Sequence, residues 1–581
     1  MKTKLTAIFL SLSSSLMRKC LLVLLIPPFL MQISCVKDDT PETTETVPIE
    51  NPGTPETTTG TIYYVSPTGN NTNAGTSGSP WATLAYAVTA VSSGDIIYMQ
   101  AGKHVIPARL TLPLGVSLTG AGEASVITNT SLTSRINYGP NGSNGDAIIN
   151  LVSSSVLDGN QSISYLKFDG ASLTCSHAIY IMNRHNVKIH HCTFVNFNYS
   201  AVVWWAQGTG DGTPPATRLS GSEFYNNIVT NCAGYNSADA SYYGALYCGG
   251  HTGMLIHDNI MIENGHSTGT QGWPIKFWLW GGMMNGCKIY NNQLEKTDYS
   301  VWDFAIESTG EDGMEIFNNT ISGGVDLNKQ NYSGTYTYSV YIHDNTIGPK
   351  GSVKGMYNAG ITLEHNNSHV LVERNIIQNC SPAILFTPRA TAQTEITIRY
   401  NIMKGIHPSS YYTEGITMNP GSSGVVINGF NIYNNIIHGT SGSTDFGIRL
   451  VHSGGAAITS ATNVKIINNV IMNFNGYSGA PIYLTGGSAY SNLNIQNNIF
   501  YNNGTNAPTI TGTPANYTNS GNLTSNPLFT NAGTDFTLQS GSPARDAGIN
   551  VGLKTDYLKN TVPYNNIPDI GAYEYGSTSG S

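Results

Sequence analysis

From residue 178 onward a five-residue phrase recurs in which a small residue is followed by apolar, variable, apolar and variable positions. It reads Ala178-Ile179-Tyr180-Ile181-Met182, Ala201-Val202-Val203-Trp204-Trp205, Ala245-Leu246-Tyr247-Cys248-Gly249 and Pro274-Ile275-Lys276-Phe277-Trp278. It continues as Asp303-Phe304-Ala305-Ile306-Glu307, Gly324-Val325-Asp326-Leu327-Asn328, Gly360-Ile361-Thr362-Leu363-Glu364 and Ala383-Ile384-Leu385-Phe386-Thr387. Versions at Gly415 to Asn419, Gly447 to Val451 and Pro481 to Thr485 close the series. Alternation of period two predicts short strands, with the second and fourth residues facing a core and the third and fifth facing out.

A second phrase ends in a pair such as Asn226-Asn227, Asp258-Asn259, Asn291-Asn292 or Asn318-Asn319. Its last Asn falls at 227, 259, 292, 319, 345, 375, 401, 435, 469 and 498, giving gaps of 32, 33, 27, 26, 30, 26, 34, 34 and 29. Self-similarity at this period predicts a solenoid, because one unit cannot bury its own apolar face. The recurring Asn is expected to stack from coil to coil as a hydrogen-bonded ladder in a turn. Parallel strands with apolar interior positions predict an all-β, right-handed parallel β-helix of about 11–13 coils.

The ends differ from the body. Residues 61–125 predict opening strands at Tyr63 to Pro67 and Gly94 to Met99, around a helix from Ser79-Pro80-Trp81 to about Val91 that covers the open edge of the first coil. Residues 126–525 form the β-helix. Residues 526–581 include Asn526-Pro527-Leu528-Phe529 and Asp569-Ile570-Gly571-Ala572-Tyr573-Glu574-Tyr575. They resemble the closing segment of many secreted β-helix proteins, which implies a cap on the far end; their acidic residues are a secondary candidate place for calcium.

Charged residues make up only 11% of the chain, and a net charge of −8 with pI near 5.9 leaves no basic footprint, so nucleic acid is excluded as an expected partner. Nothing in the pattern predicts an oligomer, and a monomer is expected. Cys175, Cys192, Cys232, Cys248, Cys287 and Cys380 are scattered without a CxxC pair, which suits small core fillers better than a disulfide or zinc site. His190, His257 and His343 share one register but are separated by Tyr225, Tyr290 and Phe317, so they read as a surface aromatic ladder and not as metal ligands.

The first 35 residues carry Met17-Arg18-Lys19, an apolar run from Leu21 to Met31, and Gln32-Ile33-Ser34-Cys35. They resemble a bacterial lipoprotein signal peptide, which implies that Cys35 is the lipidated first mature residue; Gln32 stands where that pattern has a Leu-like residue. An ordinary cleaved signal is the alternative, and the run is shorter than the ~18–20 residues of a membrane span. Val36-Lys37-Asp38-Asp39 resembles the export signal of Bacteroidota surface lipoproteins, and residues 36–60 are a Thr/Pro/Glu-rich tether. The resemblance implies a body anchored by lipid to the outer membrane and facing the exterior.

Chemistry is expected on the outward columns. Glu307, Asp326 and Glu364 place three carboxylates on consecutive coils of a charge-poor chain, beside Lys276. From the phrase alignment, Glu307 and Asp326 should lie about 8 Å apart between Cα atoms, and Glu307 and Glu364 roughly 9–10 Å apart. Such separations suit an inverting glycosidase, with Asp326 and Glu364 as the working pair and Glu307 supporting. Trp205, Trp278 and Trp280 would flank the patch as stacking faces for sugar rings. Lys276, Arg389, Asn328 and Asn419 complete the expected substrate-binding set. No cofactor or resident metal is expected for a hydrolase. A second reading uses the three carboxylates to hold Ca²⁺ against a uronate, with Lys276 or Arg389 accepting a proton, as in polysaccharide lyases. No signature of a specific lyase or polygalacturonase family is present, so the resemblance stops at the class of secreted polysaccharide-degrading β-helix enzymes. A glycan-binding or adhesive surface protein is the non-enzymatic alternative.

Overall fold

The computed structural model describes residues 60–134, 146–207, 214–235, 243–264, 272–277, 283–296, 304–348, 359–389, 392–406, 414–450 and 458–578. The leader with Cys35, nearly all of the tether, Trp278 and Trp280 lie outside the described residues.

Each coil of the body contributes three short strands to three parallel columns. One coil runs through Tyr243–Gly249, Leu255–His257 and Ile260–Ile262, and the chain then enters the next at Gly272–Phe277. Along the first column Val202 lies beside Leu246, then Ile275, Ile306, Val325, Ile361 and Ile384, all in parallel register. Every one of these side chains is inaccessible and belongs to one continuous core. The period-two pattern places its second residues where it should, except on the coil of Phe304–Thr309, where Ile306 takes the slot expected for Phe304, and the architecture is the parallel β-helix it predicts. Truncating one of these Ile residues to Ala should cost about 2–5 kcal/mol, since the coils above and below cannot collapse into the gap.

The recurring Asn turns the chain between the second and third columns. The residue before it adopts positive φ, as at Asn226 (53°), Asp258 (55°), Asn291 (56°) and Asn318 (53°). Asn and Asp tolerate that conformation better than other residues with a Cβ, which explains their recurrence there. The Asn that follows is buried and reaches its counterpart on the next coil. Asn259 Nδ2 donates to Asn292 Oδ1 (2.9 Å), Asn292 Nδ2 to Asn319 Oδ1 (3.0 Å), and Asn319 Nδ2 to Asn345 Oδ1 (3.0 Å). Beside the ladder His190, Tyr225, His257, Tyr290, Phe317 and His343 stack face to face at 4.7–5.1 Å. The six cysteines are free and buried in the core.

Two local expectations shift. The helix spans Leu84–Ala90, and its N-cap is Thr83, whose side chain accepts from the Tyr86 backbone N–H. Ser79-Pro80-Trp81 lies before the helix, because Trp81 is held as a bridge partner of Val65 with its indole stacked 4.8 Å from Tyr63. The tail packs back along the flank of the third column: Phe529, Phe536, Leu538, Ala544 and Ile570 cluster with Ile402, Ile436, Val470 and Ile499 from successive coils. Lys559 reaches as far back as Asp344 (3.4 Å).

Candidate active site

The carboxylates stand on the outward side of the first column, in a register different from the expected one. In strand Phe304–Thr309 the ladder slips between Phe304 and Ile306, so Glu307 lies directly beside Lys276 on one side and Asp326 on the other. Glu307 and Asp326 are therefore rung neighbours, roughly 4.8 Å apart at Cα rather than 8 Å. Glu364 lies beside Asn328, one coil from Asp326 and two residues further along. The offset of about 8 Å expected for Glu307 and Asp326 belongs instead to Asp326 and Glu364. Glu307 and Glu364 do not share a column. The cause is Ser308, which occupies an inward slot that other coils fill with Leu or Phe.

Outward does not mean solvated here. Lys276 is fully buried, and Glu307 and Asp326 are 8% and 4% exposed. Lys276 Nζ forms an ion pair and hydrogen bond with Glu307 and lies 4.0 Å from the centre of the Trp273 ring. Burial pulls the Lys276 ammonium below its ordinary value, while Glu307 and Asp326 push it back up. Burial, followed by repulsion from Glu364 and Glu307, drives the Asp326 carboxyl well above the usual carboxylate range, with Lys276 offsetting part of the rise. Glu364 is raised by burial and by Glu307, while Arg389 opposes the shift. Its neighbours are Asn328 Nδ2 (3.4 Å), His365 Nε2 (3.8 Å) and Arg389 Nη2 (3.9 Å). The arrangement holds one carboxyl strongly biased to its protonated form beside a second that is better solvated and faced by cations.

Several buried polar atoms around the pair have no hydrogen-bond partner: Asp326 Oδ1, Asn328 Oδ1, and the hydroxyls of Thr309, Thr362 and Thr387. Thr362 is the rung neighbour of Asp326, while Thr309, Asn328, Glu364 and Thr387 form the adjacent column. Buried polar groups are normally paired, so such a cluster lines a surface that expects water or ligand hydroxyls.

Other expected contributors fall elsewhere. Trp205 is 5% exposed and packed with Tyr180, Met182, Val203 and Tyr247, and its Nε1 donates to the Tyr180 hydroxyl (3.4 Å). It offers no open face to a sugar, and the coils of Tyr247 and Lys276 separate it from Glu307. Asn419 is exposed two coils beyond Glu364, its backbone N–H bonded to Phe386 O (2.8 Å). Arg389 is half-exposed above Glu364. Two residues escape a sequence reading. Trp273 precedes the phrase and supplies the ring under Lys276. Glu311 pairs with Met284 of the core, so its carboxyl faces the solenoid interior, fully buried, with Ser308 and Gln330 as polar neighbours but neither oxygen in a well-formed hydrogen bond. Burial pushes it up to about 8, relieved only in part by Ser308 and Gln330. The acidic pair Glu311-Asp312 in a charge-poor chain was the available signal.

Lys276 on the rung before Glu307 already supplies a positive charge to that carboxylate, and among the described residues no three His, Cys, Asp or Glu side chains are grouped to hold a metal ion.

No family model matches the chain, and no curated protein matches it. Among solved structures it is similar to the catalytic domain of a GH87 α-1,3-glucanase in complex with tetrasaccharides, at 13% identity and TM-score 0.45 over 81% of this chain and 70% of that one. A GH136 lacto-N-biosidase from Eubacterium ramulus aligns at 11% identity and TM-score 0.37, over 56% and 64% of the two chains. The A-module of a mannuronan C-5 epimerase from Azotobacter vinelandii aligns at 12% identity and TM-score 0.27, over 76% and 93%. At such distances no residue role transfers to this chain.

Proposed function

We propose that this protein is a carbohydrate-active enzyme of the cell surface, a glycoside hydrolase in which Asp326 is the general acid and Glu364 the general base. The observation that carries the reading is the pair itself: a buried carboxyl raised well above the usual carboxylate range, with an oxygen that has no partner, one coil and two residues from a better-solvated carboxyl. An offset of about 8 Å at Cα allows the two side chains to set their carboxyls at the ~6.5–9.5 Å spacing of inverting glycosidases. Asp326 gives its proton to the glycosidic oxygen as the bond to the anomeric carbon breaks. Glu364 takes a proton from the water that attacks the opposite face of the sugar. Glu307, paired with Lys276, supports the acid by repulsion without meeting substrate. The unpartnered Thr309, Thr362, Thr387 and Asn328 atoms are donors and acceptors for sugar hydroxyls. Lipidation at Cys35 and the tether would hold this body at the outer membrane, facing polymer outside the cell.

The full chain, screened against plant and algal polysaccharides, should release reducing ends. Asp326→Asn and Glu364→Gln should each lower turnover by about 10²–10⁴-fold while binding persists. Unchanged turnover in both variants removes this site. Binding without turnover in the native chain supports the adhesive alternative. NMR of the first product should show inverted configuration, whereas retention would move the nucleophile to Glu307, the direct neighbour of Asp326. A product absorbing at about 235 nm, the mark of an unsaturated uronate formed by proton abstraction, favours the lyase reading.

A further inference from the structure

The outer edge of the first column carries Lys329 and Arg389, cations that the acid–base pair engages loosely or not at all. Asn328 and Glu364 are rung neighbours, and the residues that follow them, Lys329 and His365, both turn through positive φ (61° and 54°). The two side chains thus leave successive coils at the same corner. Arg389 follows two residues after Thr387, the next rung beyond Glu364. His365 Nε2 and Arg389 Nη2 stand 3.8 and 3.9 Å from Glu364. Arg389 and Lys329 are near enough to His365 that their charges, after burial, hold its imidazolium below the ordinary value.

Several cations elsewhere on the coils are engaged much more closely. Lys188 meets Glu223 at 2.9 Å, Lys288 meets Glu315 at 2.6 Å, Arg374 meets Asp344 at 2.9 Å, Arg399 meets Glu373 at 2.5 Å and Arg449 meets Glu414 at 2.5 Å. At the rim, by contrast, Lys329 is exposed without an ion pair among the described residues, and Arg389 is 55% exposed at a loose distance. In a chain of net charge −8 these loosely held cations border the carboxylates of Glu307, Asp326 and Glu364. A neutral glycan needs none of them. An anionic one, approaching Asp326 and Glu364, would be repelled without them.

We propose that the substrate carries a carboxylate or sulfate group, which Lys329 and Arg389 receive as cations, with His365 beside them as a hydrogen-bonding imidazole, at the rim of the cleft; this rests on the reading of Asp326 and Glu364 as a glycan-cleaving pair. The test is affinity electrophoresis of the full chain in gels containing dextran sulfate, polygalacturonate or uncharged dextran. Retardation by at least one polyanion should exceed that by dextran by about tenfold in apparent affinity. Lys329→Ala combined with Arg389→Ala should abolish most of the excess; both side chains are exposed, so folding is preserved, and thermal melting checks this. The polymer that retards identifies the group as sulfate or carboxylate. Equal retardation in all three gels, or a polyanion preference unchanged in the double variant, overturns the proposal. Asp326→Asn should keep the preference while losing turnover. Turnover retained in Asp326→Asn would instead refute the catalytic reading and leave the rim to be judged by its own gels.

Discussion

Asn319, in the turn before the strand Thr320–Ser322, and Asp326, in the middle of the following strand Gly324–Asn328, are each nearly inaccessible, yet their surroundings are opposite. Asn319 Nδ2 donates to Ile289 O (2.9 Å), Phe317 O (3.0 Å) and Asn345 Oδ1 (3.0 Å), while its Oδ1 accepts from the backbone and side chain of Asn292 (2.9 and 3.0 Å). Asp326 leaves an oxygen with no partner, among carboxylates and one buried lysine. A solenoid repeats its environment, so a polar residue at one register can be satisfied on every coil by its own copies. That is what the ladder does. The acidic rungs are not copies of one another, and their neighbours do not complete them. Burial alone separates nothing here; the completeness of hydrogen bonding separates the scaffold from the site.

Breaking the charge balance of the site should have the largest effect on stability. Lys276→Met removes the only buried cation beside Glu307 and Asp326, together with its contact on Trp273, and should destabilise the chain by about 3–5 kcal/mol at neutral pH. Denaturant unfolding reads this directly, and a loss below about 1 kcal/mol would mean that the acidic rungs need no counter-charge. The ladder comes next. Asn319→Ala removes the acceptor of the Asn292 backbone and side-chain N–H groups and the side-chain donor to Ile289 O, while Asn345 Oδ1 keeps the Asn319 backbone N–H (2.9 Å); at ~1–3 kcal/mol for each buried group left unmade a net cost of about 3 kcal/mol is expected. If thermal melting hardly moves, the ladder decorates a fold held by its apolar core, and the comparison fails on that side.

The scaffold was far more legible than the site. Alternation located Val202, Ile275 and Val325 inside, and the Asn period located the turn, because both signals repeat and errors average out over many coils. Glu307 was misplaced by two residues because Ser308 sits inside where an apolar residue was expected, and the strand slips at Ala305. A local irregularity of that kind has no echo elsewhere in the chain. Burial of Trp205 and Lys276 was equally hidden, since a sheet's outward face is covered by tertiary packing that a period-two pattern does not encode. The tail carries no repeat, so nothing in it named the flank against which Ile570 and Phe536 pack. Glu311 belongs to a two-residue strand, Glu311–Asp312, outside the repeated phrases, whose direction depends on its pairing with Met284.

Glu311 sharpens the comparison most finely, because it lies inside the core like the ladder and unpaired like the site. Its folded-state value of about 8 stands above the unfolded value of about 4.3. Below the lower value both states hold the proton and pH changes nothing. Between the two, only the unfolded chain releases it, so stability falls as pH rises and the full penalty is present above pH 8. Glu311→Gln keeps the shape and removes the titration. Gln still buries an amide without assured partners, so of a penalty of a few kcal/mol only about 2 kcal/mol should be recovered. The melting temperatures of variant and native chain should therefore coincide near pH 4 and separate by pH 8, with the variant higher. A variant less stable at every pH would show that Glu311 is held by bonds as the ladder is, and that unpaired burial is confined to the outward columns.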